Sequence, residues 1–208
     1  LKRRLAELGV SRICPPGAAG TPSMVWHHDG RACLAELVRW CDEELLPARK
    51  PTFASCFGFQ ILIRAVGGTM MRDSGNTEFG TYDLALTELA AADPIFGTLP
   101  ATFCAQVGHS DRAAALPANV QCLASTPLCP THAFRIAGLP IWATQFHPEL
   151  RMEDLATRYR HYGHYTAMRD GEVTKPELRP SPGATMLLAN FGRWVAQAEA
   201  LADTSDRG

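Results

Sequence analysis

Apolar residues recur along this chain with two different periods, and the switches between them outline its elements. In "RACLAELVRWCDEELLPARK" the positions Leu34, Leu37, Val38, Cys41 and Leu45 follow helical spacing and the pattern ends at Pro47, which predicts an amphipathic helix stopping there. A short apolar run, "PTFAS", follows Pro51. "FGFQILIRAV" then returns to helical spacing and runs out at Gly67 and Gly68. The middle of the chain is therefore expected to be helix, strand, helix, with Cys56 at the corner. Beyond it, "TEFGTYDLALTE", "ATFCAQVGHSD", "NVQCLAST", "THAFRIAG" and "PIWATQFHPE" are short runs with β-branched or aromatic residues, separated by turn residues, and read as strands. Helical spacing reappears in "MEDLATRYRHYGHYT" and in "GATMLLANFGRWVAQAEALA", while the polar, proline-bearing "RDGEVTKPELRPSPG" between them reads as a surface connection. At the front, Leu1 to Leu8 read as a helix and "SRICPPGAAGTPSMV" as a strand end and loop. Helices flanking an α/β sheet with extra antiparallel strands make a doubly wound fold the expectation rather than a barrel.

Composition narrows the function classes. With 208 residues, 46% of them apolar, the chain suits a single domain over residues 1–208, with a C-terminal helix in 180–208 packed on it. Lys plus Arg number 20 against 21 for Asp plus Glu, so no basic surface is offered to nucleic acid or to an anionic membrane. No apolar run is long enough to span a bilayer and the opening helix is not a secretory signal, which makes a cytoplasmic location the expectation. Seven cysteines without a CxxC pair and seven histidines without HxxxH or HExxH spacing suggest no disulfide framework, no metal site and no cofactor. Glu78 reads as a surface strand charge, with a part in shaping a pocket as the alternative. Trp26, Trp40, Trp142 and Trp194 read as packing residues, and the Tyr and His residues of "RYRHYGHY" as a packed helix face.

Cys56 is the candidate with chemistry. A nucleophile on a strand-to-helix elbow has a strained backbone and needs small neighbours; Ala54 and Gly58 supply them. A helix beginning at Phe57 would favour the thiolate, and its free N–H groups can hold an oxyanion. The base such a thiol requires is found far along the chain, in "QFHPEL". Pro148 there fixes the backbone between His147 and Glu149, so a carboxylate can orient the ring and stabilise imidazolium.

Together, "ASCFGFQ" and "QFHPEL" resemble the signature of the class I glutamine amidotransferases, a G-x-C-x-G-x-Q elbow followed by H-P-E. "EFGTYDLALTE", "DPIFGTLP" and "GHSD" are similar to the stand-alone, GMP-synthase-like branch of that family, and the match runs from about Pro51 to Glu149. The resemblance implies a flavodoxin-like domain that hydrolyses the side-chain amide of glutamine through a cysteinyl γ-glutamyl thioester. It assigns Cys56 as nucleophile, His147 as acid and base, Glu149 as its orienting group, and the Phe57 N–H as one oxyanion donor. It further implies that Gln60 lines the glutamine pocket and that His109, Ser110 and Asp111 contact the substrate's α-amino and carboxylate end. A second oxyanion N–H would come from "PPGAAGTPSMV", where Gly17, Ala18 and Gly20 are alternatives and Gly20 is preferred. The chain departs from the pattern in Ala54, which replaces a glycine, and in opening with a helix, so that the sheet is expected to lack its first strand. The implied partners are glutamine or a γ-glutamyl compound and an acceptor synthetase subunit for the ammonia. The alternatives left open are a γ-glutamyl peptidase or hydrolase, and a non-catalytic regulatory module on the same fold.

Overall fold

The computed structural model describes residues 28–161 and 167–205. The expected helix at Leu1 to Leu8, the glycine loop with Gly17, Ala18 and Gly20, Trp26, and the end of the Tyr–His run lie outside the described residues.

The first helix, α1, spans His28–Trp40 and continues through a π-helical turn, Cys41–Leu45, into a last turn, Leu46–Ala48. It therefore runs one residue past Pro47, where the spacing had it stop. Proline lacks an N–H and is tolerated where the helix changes its bonding pattern, as it does here directly after the wide π turn. The helix ends at Arg49, in the left-handed region at φ 51°.

Next come β1 (Thr52–Ser55) and α2 (Phe57–Ala65). Gly67 closes α2 at φ 85°, and the Gly68 N–H reaches back to the Ile63 carbonyl at 2.8 Å. The remaining elements are β2 (Thr69–Arg72), β3 (Glu78–Leu86), a short α3 (Glu88–Ala91), β4 (Thr102–His109), β5 (Asp111–Ala115), β6 (Val120–Ser125), β7 (Ala133–Ile136), β8 (Ile141–Thr144), α4 (Met152–His161), β9 (Ala167–Arg169), β10 (Glu172–Thr174) and α5 (Pro182–Ser205). A six-stranded sheet has the order β1-β8-β7-β6-β3-β4; β1 and β8 are parallel and the other pairings antiparallel. This is the mixed α/β sheet expected.

Strand periodicity sorts side chains to two apolar layers. On one face Ile141 and Ala143 of β8 meet Phe59, Leu62 and Ile63 of α2, with Leu37 and Val38 of α1 behind them. On the other, Phe53 and Trp142 meet Ala184, Leu187, Phe191 and Trp194 of α5. Trp142 stacks edge-on to Trp194 with centroids 4.9 Å apart, and its indole N–H donates to Asp93 at 2.9 Å. The same carboxylate caps the turn after α3 by accepting from the Ile95 and Phe96 N–H groups.

The connection read as plain surface loop has structure. β9 and β10 form a hairpin whose turn, Asp170 at φ 52° and Gly171 at φ 83°, has the double positive φ that an Asp-Gly pair favours. Beyond it, the Glu177 carbonyl accepts the Thr81 N–H at 2.7 Å, and Thr81 Oγ1 accepts the Arg179 N–H at 2.8 Å. Pinned this way, residues 176–181 lie across β3. No helix of the described residues is long and apolar enough to cross a membrane.

Candidate active site

The parallel pairing of β1 with β8 aligns Ser55 with Thr144. Both strands thus end at the same rim, and the residues just beyond them, Cys56 on one side and Gln145 to Glu149 on the other, are brought together over the sheet's carboxyl end. The Cys56 N–H donates to the Thr144 carbonyl at 2.7 Å. That bond ties the elbow to the neighbouring strand at the point of reversal.

Cys56 has φ 48° and ψ −100°, a conformation that L-residues rarely adopt, and Phe57 begins the helix directly after it. Crowding explains the small neighbours: a Cβ on Gly58 would sit 3.0 Å from the Ala54 Cβ. The methyl that Ala54 carries in place of a glycine is thus accommodated against a bare Cα. The first N–H groups of α2 have no acceptor within the helix and face the sulfur's end of the chain. Gln60, half-buried, follows one turn into α2, its N–H bonded to the Cys56 carbonyl at 3.2 Å.

His147 is held from both sides. Its N–H donates to the Gln106 carbonyl at 2.9 Å, and its ring Nδ1 lies 2.6 Å from Glu149 Oε1, across the buried Pro148. Burial alone would lower the imidazole pKa; hydrogen bonds with Cys56 and with Glu149 outweigh it and push the value up to about 10. The Glu149 carboxyl is drawn below its ordinary range by His147, with Ser55 adding, although burial pulls the other way. Imidazole and carboxylate are therefore in direct contact, and the ring's charged form is favoured by both Cys56 and Glu149.

Gln145 is a neighbour the sequence reading did not single out. It is fully buried, its amide nitrogen 3.9 Å from Cys56 Sγ, and its Oε1 has no hydrogen-bonded partner among the described residues. An uncharged polar residue directly after an apolar strand and two before the histidine was the available signal.

The corner between β4 and β5 carries His109, Ser110 and Asp111. His109 is buried, with Nε2 3.1 Å from the Glu78 carboxylate. Ser110 and Asp111 beside it are both half-buried. The Ser110 hydroxyl is 2.9 Å from that of Thr77, and burial raises the Asp111 carboxyl pKa against the opposing charges of Arg72 and Arg64. Gly20 lies outside the described residues.

Glu78 is not at the surface, contrary to the sequence reading. It is fully buried because β3 is covered on both faces at its start: Thr126 and His132 bond the Glu78 carboxylate at 2.7 Å each, and Leu155, Ala167 and Leu178 pack on Phe79. Burial opposes ionisation, but the hydrogen bond with His132 and the nearness of the His109 ring hold the Glu78 carboxyl well below the usual carboxylate range. For His132, burial is likewise outweighed, by Cys129 and Glu78, and its pKa rises to about 9. His109 stays below its ordinary value, through burial first.

The family model for class-I glutamine amidotransferases matches residues 7–161. A glutamine-hydrolysing GMP synthase subunit from Methanocaldococcus jannaschii is 29% identical over 156 residues, covering 72% of this chain and 81% of that protein. The GMP synthase of Exiguobacterium sibiricum is 28% identical over 147 residues, 71% of this chain. The match spans only 27% of that enzyme's length, and 20% of the related one from Streptomyces coelicolor. Among solved structures, a Thermoplasma acidophilum protein assigned as a GMP synthase subunit superposes with a TM-score of 0.61 at 20% identity, over 97% of this chain and 89% of that one, a likeness of fold.

Proposed function

The chain belongs to the class-I glutamine amidotransferase family, and from that premise we propose that it hydrolyses the side-chain amide of glutamine with Cys56, His147 and Glu149. The reading is carried by one observation: a strained cysteine elbow and a carboxylate-bound histidine lie just beyond the ends of two paired parallel strands. In this reaction Cys56 Sγ attacks the amide carbon and the carbonyl oxygen becomes an oxyanion, held by the Phe57 N–H and by a second N–H from the glycine loop, for which Gly20 is our assignment. His147, protonated at the outset, gives its proton to the departing nitrogen, so that ammonia leaves and a γ-glutamyl thioester remains. The neutral ring then takes a proton from water, the hydroxide adds to the thioester, and glutamate departs as the sulfur regains its starting form. Glu149 keeps Nδ1 protonated, which aims Nε2 at the reacting atoms. Gln60, Ser110 and Asp111 line the glutamine site, His109 supports it from below, and Gln145 fixes the position of the sulfur.

The ammonia acceptor, on this reading, is a synthetase, since the matched relatives are GMP synthases and their glutamine-hydrolysing subunits. The test compares ammonia released from glutamine with glutamate released from γ-glutamyl peptides, and labels the folded protein with a glutamine diazoketone. Ammonia release and one adduct on Cys56 support the assignment. Peptide hydrolysis without glutaminase activity would transfer the site to a γ-glutamyl hydrolase, and an unlabelled Cys56 in folded protein would make the chain a binding module.

A further inference from the structure

Under the rim that carries the triad, four side chains from three segments converge. Glu78 begins β3, His109 ends β4 directly opposite it, and Cys129 and His132 lie in the connection from β6 to β7. One donor atom from each lies within 4.8 Å of all the others, and all four residues are buried. The triad does not use this group.

The cluster is incomplete as it stands. His109 Nε2 is 3.1 Å from Glu78 Oε2 yet off the direction a hydrogen bond requires, so that neither it nor His132 Nδ1 has a hydrogen-bonded partner among the described residues. Buried ring nitrogens without partners are costly and uncommon. Meanwhile Oε2 of Glu78 is approached by the Nε2 atoms of both histidines, at 2.7 and 3.1 Å, with the two rings edge to face and their centroids 5.2 Å apart. Four potential ligand atoms held this close together in a buried place, two of the ring nitrogens there lacking partners, is an arrangement that a cation can complete.

We propose that Glu78, His109, Cys129 and His132 form a structural zinc site. Two imidazoles, one thiolate and one carboxylate suit Zn²⁺ in kind and number, and a tetrahedral ion with bonds of about 2.0–2.3 Å needs its donors roughly 3.3–3.8 Å apart. The cluster must tighten around its widest spacing and open slightly at the Glu78–His132 contact. The site is closed, so its role is to hold the fold and not to activate water. Charge balances on loading: the Cys129 thiol, which donates to the Thr131 carbonyl at 3.3 Å, gives up its proton, and so does the pair formed by Glu78 and His132. Two protons leave as one dication enters, and the buried cluster is neutral before and after. Outer contacts already orient the ligands, with Thr126 Oγ1 donating to Glu78 Oε1 at 2.7 Å and accepting the Cys129 N–H at 2.9 Å. The His132 carbonyl also accepts the Gln145 N–H at 2.7 Å, which links the site to the residue beside the Cys56 sulfur.

The test is cobalt substitution of the full chain, stripped with a chelator and refolded with Co²⁺. The expected result is a single bound equivalent with tetrahedral visible bands and a thiolate-to-cobalt charge-transfer band, all displaced by Zn²⁺. Cys129→Ser removes the charge-transfer band, Glu78→Gln weakens binding at least tenfold, and Cys56→Ser leaves the spectrum intact. No saturable binding, or a charge-transfer band that survives Cys129→Ser, overturns the site. Should these variants not fold, X-ray absorption at the zinc edge of the loaded wild type decides: one sulfur with three nitrogen or oxygen neighbours supports the proposal, and any other ligand set ends it.

Discussion

Replacing Cys56 by glycine is expected to give a more stable protein than replacing it by alanine, although neither variant should hydrolyse glutamine. Both lose the sulfur, so the comparison isolates the backbone. At φ 48° and ψ −100° a residue with a Cβ is strained by about 1–3 kcal/mol, and glycine is released from that strain. Against this, glycine's freer unfolded chain costs about 0.4–1 kcal/mol. The difference leaves the glycine variant ahead by about 1 kcal/mol, which for a chain of this size is roughly 2–4 °C in melting temperature.

Urea denaturation of the two variants side by side measures the quantity directly. A glycine variant that is less stable than the alanine variant would refute the reasoning, because it would mean that the elbow stores no strain. Diazoketone labelling is the companion assay, since the wild type should react at Cys56 and neither variant should. The pair of results would establish that the fold gives up stability at this corner to present a sulfur, the trade expected where a backbone is bent for chemistry.

Glu149→Gln should lower kcat for glutamine hydrolysis with little change in KM: a charge-assisted bond of 2.6 Å to a carboxylate whose side chain is 42% exposed is worth about 1–2 kcal/mol after solvent screening, or roughly 5- to 30-fold in rate. A change within twofold would remove Glu149 from the mechanism. The His147 pKa is raised in the folded state to about 10 from an ordinary value of 6.5, so its pairing stabilises fully below about pH 6.5 and is lost as pH climbs through about 10. The stability gap between wild type and His147→Gln, measured in urea, should accordingly shrink from pH 6 to pH 10; a constant gap refutes it. Gly80→Ala should destabilise by about 2–4 kcal/mol, since at φ 130° its Cβ would meet the Glu177 carbonyl at 2.7 Å, whereas Gly138→Ala, at φ 72° with open space around it, should cost only about 1 kcal/mol. Equal losses at the two glycines would mean that the 176–181 segment is not seated on β3.

What the sequence disclosed and what it hid divide along physical lines. The elbow at Cys56 was legible because it imposes local demands, a small residue at Ala54 and Gly58, a helix starting at Phe57, that are written within a few positions. The contact between His147 and Glu149 was legible because Pro148 locks them into one local unit. Their meeting with Cys56 needed only a parallel pair, β1 with β8, and such pairing is the default of an α/β sheet. The hairpin of β9 and β10 carried its own signal in Asp170-Gly171, overshadowed by the polar, proline-bearing composition around it. Glu78 was misread for a different reason. Alternation along a strand predicts a solvent face only when one face is bare, and the coverage of β3 comes from segments far away in the chain.

The same reasoning explains why the cluster beneath Cys56 and His147 leaves so little motif, a lone C-x-x-H spacing at Cys129 and His132. Metal-ligand spacings such as CxxC or HxxxH arise when two ligands share one turn or one helix face. Here Glu78 and His109 become neighbours through the register of β3 on β4, and Cys129 and His132 reach them from the β6–β7 connection. Only the second pair is close in sequence. A ligand set assembled mostly by sheet register is nearly invisible to spacing rules, yet the same register sets the floor beneath Cys56 and His147: β4 delivers the Gln106 carbonyl to the His147 N–H, and His132, on the approach to β7, delivers its own carbonyl to Gln145. A change that loosens the buried cluster should thus reach the sulfur and the imidazole through these two backbone hydrogen bonds, lowering activity without touching a reacting atom.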